Sequence, residues 1–242
     1  MKLVKNFIFI FTLLVALFLV GCKTPEEPKI SVEQLKTDVR GVFDTYNNSE
    51  HGSFKIVAVD GDETKTIEMI YNYGLGKTSV SSLKQLYTDK NGTISCYITD
   101  GKAYFDRYDT GKTVQDVSSA DSKQFASKYS FSSFAYKLDL MLSESFFDAV
   151  TVDSDKNNVV KATLGIGIYD ILSEEQSDDL TAIFDGIKEK TEVTLEVTYT
   201  DTVVTNIKVV LVGEVTSSIE LQLFGSSDSN MKIDFPDFSD YQ

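Results

Sequence analysis

The sequence predicts an α+β fold dominated by a large antiparallel sheet, and three observations carry that reading. From Ser53 onward apolar and polar residues alternate with a period of two over most of the chain. Glycine-containing turn signals, Asp-Gly and Asn-Gly among them, punctuate those stretches at hairpin spacing. Three segments change to helical spacing instead, and two of them open with Ser-x-x-Gln, the form of a capping box.

Taken in order, the chain begins with Lys2 and Lys5 ahead of an apolar run, Phe7 to Val20, broken only by Thr12. Leu19-Val20-Gly21-Cys22 follows and reads as a bacterial lipobox. The run is too short to span a bilayer comfortably, and a small residue followed by Cys marks a processing site. Residues 1–21 are therefore expected to be a lipoprotein signal peptide. By similarity to bacterial lipoprotein precursors, cleavage before Cys22 would leave its thiol carrying diacylglycerol and its amine acylated. Two or more acyl chains hold a protein firmly to a membrane, so Cys22 would need no basic patch beside it. The expected location is the outer face of the plasma membrane; Lys23 is not the Asp associated with inner-membrane retention, which leaves outer-membrane sorting open in a diderm host. Residues 22–30, with Pro25 and Pro28, form a polar lipidated tether. Residues 31–242 are expected to form a single domain.

Ser31 and Gln34 cap a first helix whose apolar stripe is Leu35, Val39, Val42, Phe43 and Tyr46. Turn signals then fall at Asp60-Gly61, Gly74 to Gly76, Asn91-Gly92, Asp100-Gly101 and Thr110-Gly111, which predicts a meander of hairpins. Asn91-Gly92 and Asp100-Gly101 suit tight type I′ turns. Between Ser118 and Phe147 the period returns to helical, with Phe131, Phe134, Leu138 and Leu142 on one face. A strand pair is expected around Val150 to Val152 and Val159 to Leu164. Ser173 and Gln176 suggest a second cap, ahead of a helix carrying Leu180, Ile183, Phe184 and Ile187. Closing strands follow at Val193 to Tyr199 and Val215 to Leu223, and the last strand candidate is Met231 to Phe235, stopped by Pro236.

The chain of 242 residues has a net charge of −14, and losing Lys2 and Lys5 with the leader makes the remainder more acidic still. Such a surface repels nucleic acid and anionic headgroups, which excludes a polybasic mode of binding to either. With Cys22 lipidated, Cys96 is left in the strand-like run Thr93 to Ile98, where it is expected to pack as a small hydrophobe.

Three stretches come near a motif with chemistry, and each is incomplete. Gly74-Leu75-Gly76-Lys77-Thr78 resembles the end of a phosphate loop, but Tyr71 stands where the first Gly is required, so a hairpin turn is expected. Asp153, Asp155 and Asn157 have the opening spacing of a calcium loop, yet Asn158 and Leu164 occupy the positions of the required Gly and Glu. The single histidine, His51, reads as a loop residue after the first helix, with no nucleophile elbow to serve. No catalytic residue, metal site or cofactor is expected.

The order of these parts resembles the LolA-like (LppX/LprG-like) half-barrel lipoproteins: signal and lipobox, capped helix, long meander, central helical segment, second helix and closing strands. That resemblance implies a curved antiparallel sheet with helices covering its concave face, holding acyl chains. It therefore implies a non-catalytic, membrane-anchored extracytoplasmic lipoprotein that binds or carries a lipid or other apolar ligand. The alternative is a surface module for a protein or glycan, without a ligand cavity. Phe131, Phe134, Leu138 and Leu142 are the candidate ligand-lining face. The same stripe also reads as ordinary core.

Overall fold

The computed structural model describes residues 30–128, 132–142, 147–152, 159–165, 167–174, 180–227 and 230–242. The first helix, α1 (Val32–Asn48), starts where expected: the Ser31 hydroxyl accepts the Gln34 N–H at 3.1 Å. Six strands follow, β1 (His51–Asp60), β2 (Glu63–Tyr73), β3 (Val80–Asp89), β4 (Gly92–Thr99), β5 (Lys102–Arg107) and β6 (Gly111–Asp116). Two helices come next, α2 (Ser119–Lys128) and α3 (Ser132–Met141), then β7 (Phe147–Val152), β8 (Val159–Leu164) and α4 (Gly167–Glu174). Short 3₁₀ turns at Thr181–Phe184 and Ile187–Glu189 lead into β9 (Glu192–Thr200), β10 (Val203–Val212) and β11 (Ser217–Ser227).

Among the described residues all eleven strands belong to one antiparallel sheet, in the order β6-β5-β4-β3-β2-β1-β11-β10-β9-β8-β7. This is chain order bent into a ring. β11 returns to pair with β1, and the ring stays open between β6 and β7, the two strands joined through α2 and α3. Register places the apolar alternation on one face: Ile56 lies between Ile67 and Leu221, Leu83 pairs with Ile98, and Val209 lies between Leu195 and Ile219. All of these side chains are buried. Shifts in register at Ser53/Phe54, Asn72/Tyr73 and Val204/Asn206 bend the strands, as bulges do, and an open curved sheet results.

Helix residues join the same core. Leu35, Val39, Phe43 and Tyr46 of α1 are buried, and α1 packs on β10. α2 packs on β3, where the Ser122 hydroxyl accepts the Val80 N–H at 3.1 Å. α3 packs on α4, and the turn at Thr181–Phe184 packs on β1 and β11. Cys96 is buried on the inner face of β4, as its strand position predicted.

Four local expectations are corrected. Asp100 and Gly101 both take positive φ, 52° and 73°, as a type I′ turn requires, but at Asn91-Gly92 only Gly92 does. There the Asp89 carboxylate accepts the Asn91 N–H at 2.8 Å and sets a different turn. His51 is the first residue of β1 and is buried, not a loop residue. Ser173 lies inside α4, its hydroxyl donating back to the Asp170 carbonyl at 2.8 Å, so it belongs to the end of one helix rather than to the start of the next. Leu180, Ile183, Phe184 and Ile187 are buried as their spacing required, but Leu180 only precedes a 3₁₀ turn and the others lie on two such turns separated by Asp185 and Gly186.

The fourth correction is Met231 to Phe235, which forms no strand. The Asn72 side chain accepts the Met231 N–H at 2.6 Å and donates to its carbonyl at 2.9 Å, which satisfies both backbone groups without a ladder. The segment then runs over the outer face of the sheet. Phe238 stacks on Tyr104, ring centroids 3.8 Å apart, and meets Tyr97 edge-on at 5.7 Å. Tyr241 packs on Tyr104 and Phe238, Asp240 pairs with Lys112 at 3.5 Å, and the Gln242 carbonyl accepts the Val114 N–H at 3.2 Å.

One glycine in the sheet is required by a close approach. A Cβ on Gly52 would stand 2.5 Å from the Tyr71 hydroxyl oxygen, and that hydroxyl is held where it is by donating to the Tyr46 carbonyl at 3.2 Å. Gly52→Ala should therefore destabilise the protein by about 1–3 kcal/mol, the usual cost of overpacking. Urea unfolding should find a smaller penalty for the same substitution in a Tyr71→Leu background. An equal penalty in both would show that the clash is not the cause.

Candidate functional site

Open space occurs where α1 crosses the ends of β10 and β11. A groove of about 610 Å³ runs there, within the range of ordinary small-ligand sites. One wall is the flank of α1 beside its buried stripe: Thr37, Asp38, Gly41, Val42 and Thr45. Gly41 makes the room, since a Cβ there would meet nothing within 4 Å. The other wall is Thr202 to Thr205, brought round by the β9–β10 turn in which Asp201 takes φ 56°. Leu223 to Ser226 close the end. Here the register shift opposite Ser53/Phe54, with Gly225 at φ 134°, turns Phe224 out of the sheet and leaves it 61% exposed.

Tyr46 fastens these pieces together. Its hydroxyl donates to the Ser53 carbonyl at 3.1 Å and accepts the Gly225 N–H at 3.0 Å, tying α1 to both strands of the β1–β11 pair. On the flank, Asp38 accepts from the Gln34 amide at 2.7 Å and from the Tyr199 hydroxyl at 3.0 Å. The hydroxyls of Thr37, Thr45 and Thr205 donate to the carbonyls of Glu33, Gly41 and Thr198. Among the described residues that line the groove, Asp38 is the only charged one.

The candidate face read from the sequence lies elsewhere. Phe134, Leu138 and Leu142 come together at α3 and are buried with Met141 in the common core. Phe131 and Cys22 lie outside the described residues, as do Asp153, Asp155 and Asn157. Among the described residues no group of three or more His, Cys, Asp or Glu is placed to hold a metal ion. The Gly74 to Gly76 turn is occupied by the chain itself, with the Gly76 N–H donating to the Glu50 carboxylate at 3.1 Å. His51 is buried with Nδ1 unbonded, and Lys137 is fully buried with its ammonium donating to the Leu172 carbonyl at 3.0 Å.

Sequence reasoning missed the groove, although two residues signalled it. Gly41 interrupts an otherwise good helix, and Gly225 interrupts a good strand; such glycines mark close approach, open space or a bulge.

No family model matches the chain, and no curated protein matches it either. Among solved structures it is similar to an outer membrane lipoprotein-sorting protein domain from Vibrio parahaemolyticus, at 9% identity and TM-score 0.23, over 81% of this chain and 92% of that one. It is also similar to a porin-like protein from Bacteroides uniformis, at 10% identity and TM-score 0.19, over 72% of this chain and 97% of that one. Superpositions this loose carry no argument about mechanism.

The tyrosines around the groove make stability sensitive to alkali. Burial holds the phenols of Tyr46, Tyr71 and Tyr199 above the ordinary tyrosine range, with hydrogen bonding to Asp38 adding to the effect at Tyr199. A group whose pKa is raised by folding contributes stability that is complete below its unfolded value, about 10, and is lost as pH climbs toward its folded value. Urea midpoints should therefore fall steadily above pH 10. Tyr199→Phe, lacking one such phenol, should show a shallower fall, and an unchanged slope would remove Tyr199 from the account.

Proposed function

We propose that the chain is an extracytoplasmic lipoprotein, anchored through Cys22 to the outer face of a bacterial plasma membrane. In this reading it binds or carries a lipid or other apolar ligand, without catalysis, between its helices and the concave face of its sheet. The observation that supports this most directly is the opening in the ring of strands. β6 and β7 are joined through α2 and α3 and share no ladder. No ladder closes the sheet between these two edge strands, so an apolar guest has a route inward that a closed barrel denies. The buried stripe Phe134, Leu138 and Leu142 stands on the helical connection between those two edges. It would be the surface displaced by, or exchanged for, an acyl chain.

A surface module for a protein or glycan is the second reading. Complete burial of that stripe favours it, because interiors fill densely by default and a filled interior leaves no room for a guest.

Two experiments test the proposal. Growth with a labelled fatty acid should mark the wild-type protein and not Cys22→Ala; label surviving in the variant would sink the anchor. Native mass spectrometry of the protein from a lipid-containing host should show adducts of lipid mass, and added fatty acid or phospholipid should raise the melting temperature. A bare protein mass with an unmoved melting temperature would replace the carrier with the surface module. Phe134→Ala separates the two by another measure. In a filled core it should cost about 3–5 kcal/mol; in a ligand wall it should cost less while lipid occupancy changes.

A further inference from the structure

The groove beside α1 offers chiefly hydrogen-bond acceptors and a negative charge. The hydroxyls of Thr202 and Ser226 also line it, while the other three threonine hydroxyls have spent their protons: Thr37 on the Glu33 carbonyl, Thr45 on the Gly41 carbonyl and Thr205 on the Thr198 carbonyl. Each keeps oxygen lone pairs and has no proton to give a ligand. The Asp38 carboxylate accepts two neutral hydrogen bonds, from Gln34 and Tyr199, and among the described residues it pairs with no cation. Among the described residues no Lys, Arg or His lines the space. The apolar share of the lining includes the exposed ring of Phe224 and the exposed Val203, 61% and 63% accessible.

We propose that this groove is a binding site for a small organic ammonium ion with an apolar body. An ammonium brings N–H donors to a lining rich in acceptors, and a positive charge to a carboxylate that pairs with no cation among the described residues. Its hydrocarbon part would lie against Val203 and Phe224, and an aromatic face attracts a cation as well. Carboxylates and phosphates are turned away by the same features. The chain's net charge of −14 reinforces the selection by drawing cations toward its surface. The site uses neither Cys22 nor α3, so it stands or falls separately from the carrier reading.

The test uses three probes of one shape and different charge, n-butylammonium, n-butanol and butyrate, titrated into the full chain in non-ionic detergent. Amide shifts of Gly41, Thr205 and Gly225 are followed by NMR. Butylammonium should give saturable shifts at these amides, weakening as salt is added, while butyrate gives none and butanol binds at least threefold more weakly. Asp38→Asn should weaken butylammonium at least threefold. Gly41→Leu, which places a side chain in open space on a helix, should abolish the shifts with the fold intact by melting temperature. Phe224→Ala, at an exposed position, is the second variant and should weaken binding without touching the core. Absence of saturable shifts, butyrate or butanol binding as well as the amine, or a loss below threefold in Asp38→Asn would overturn the assignment.

Discussion

Everything in the molecule depends on the ladder between β1 and β11. Ten residues of β1, His51 to Asp60, find partners between Ser217 and Ser227, and that pairing turns two separate meanders into one sheet. With it, Ile56 has Ile67 on one side and Leu221 on the other, and the inner face is continuous from β6 to β7. Both ends of the seam are fastened by side chains. At one end the Ser217 hydroxyl donates to Asp60 and accepts from Lys190 at 3.0 Å; at the other, Tyr46 bridges Ser53 and Gly225. The groove beside α1 sits at that second fastening, where the ladder slips its register to expose Phe224.

An open ring leaves two strand edges, and unpaired edges invite other chains to add to them. At β6 the C-terminal segment manages part of this hazard. It brings the Gln242 carbonyl to the Val114 N–H, sets Asp240 against Lys112, and covers Tyr97 and Tyr104 with Phe238 and Tyr241. The aromatic content of that segment thus serves the outer face, whereas the apolar stripes of the helices join the common core. Only the second kind of contact obeys a simple periodicity.

That difference explains what was legible in the sequence. The strands were, because a sheet with one buried face writes its period of two into residues such as Val193, Leu195, Val197 and Tyr199, all of them buried. The first helix was, because Ser31 caps it locally. The last segment was misread as a strand because Met231 to Phe235 alternates like one; its partner is the side chain of Asn72, 159 residues away, and no local pattern reports it. The helical spacing of Leu180 to Ile187 identified what is buried but not the form of the backbone. Gly186 and the placement of Ser173 within α4 decided that instead. Phe134, Leu138 and Leu142 of the candidate face are buried, a property that helical spacing reports locally, while the groove was invisible because its walls come from α1, β10 and β11.

The seam also dictates when the fold can be completed. β1 is made early, yet its neighbour β11 is among the last strands to appear, so one side of β1 stays unsatisfied until nearly the whole chain is available. Pairing across so long a span requires closing a large loop first, and proteins dominated by such contacts fold slowly. The meanders on either side pair each strand with its neighbour in the chain and can form as they appear, so only their joining into one sheet must wait for the last strand.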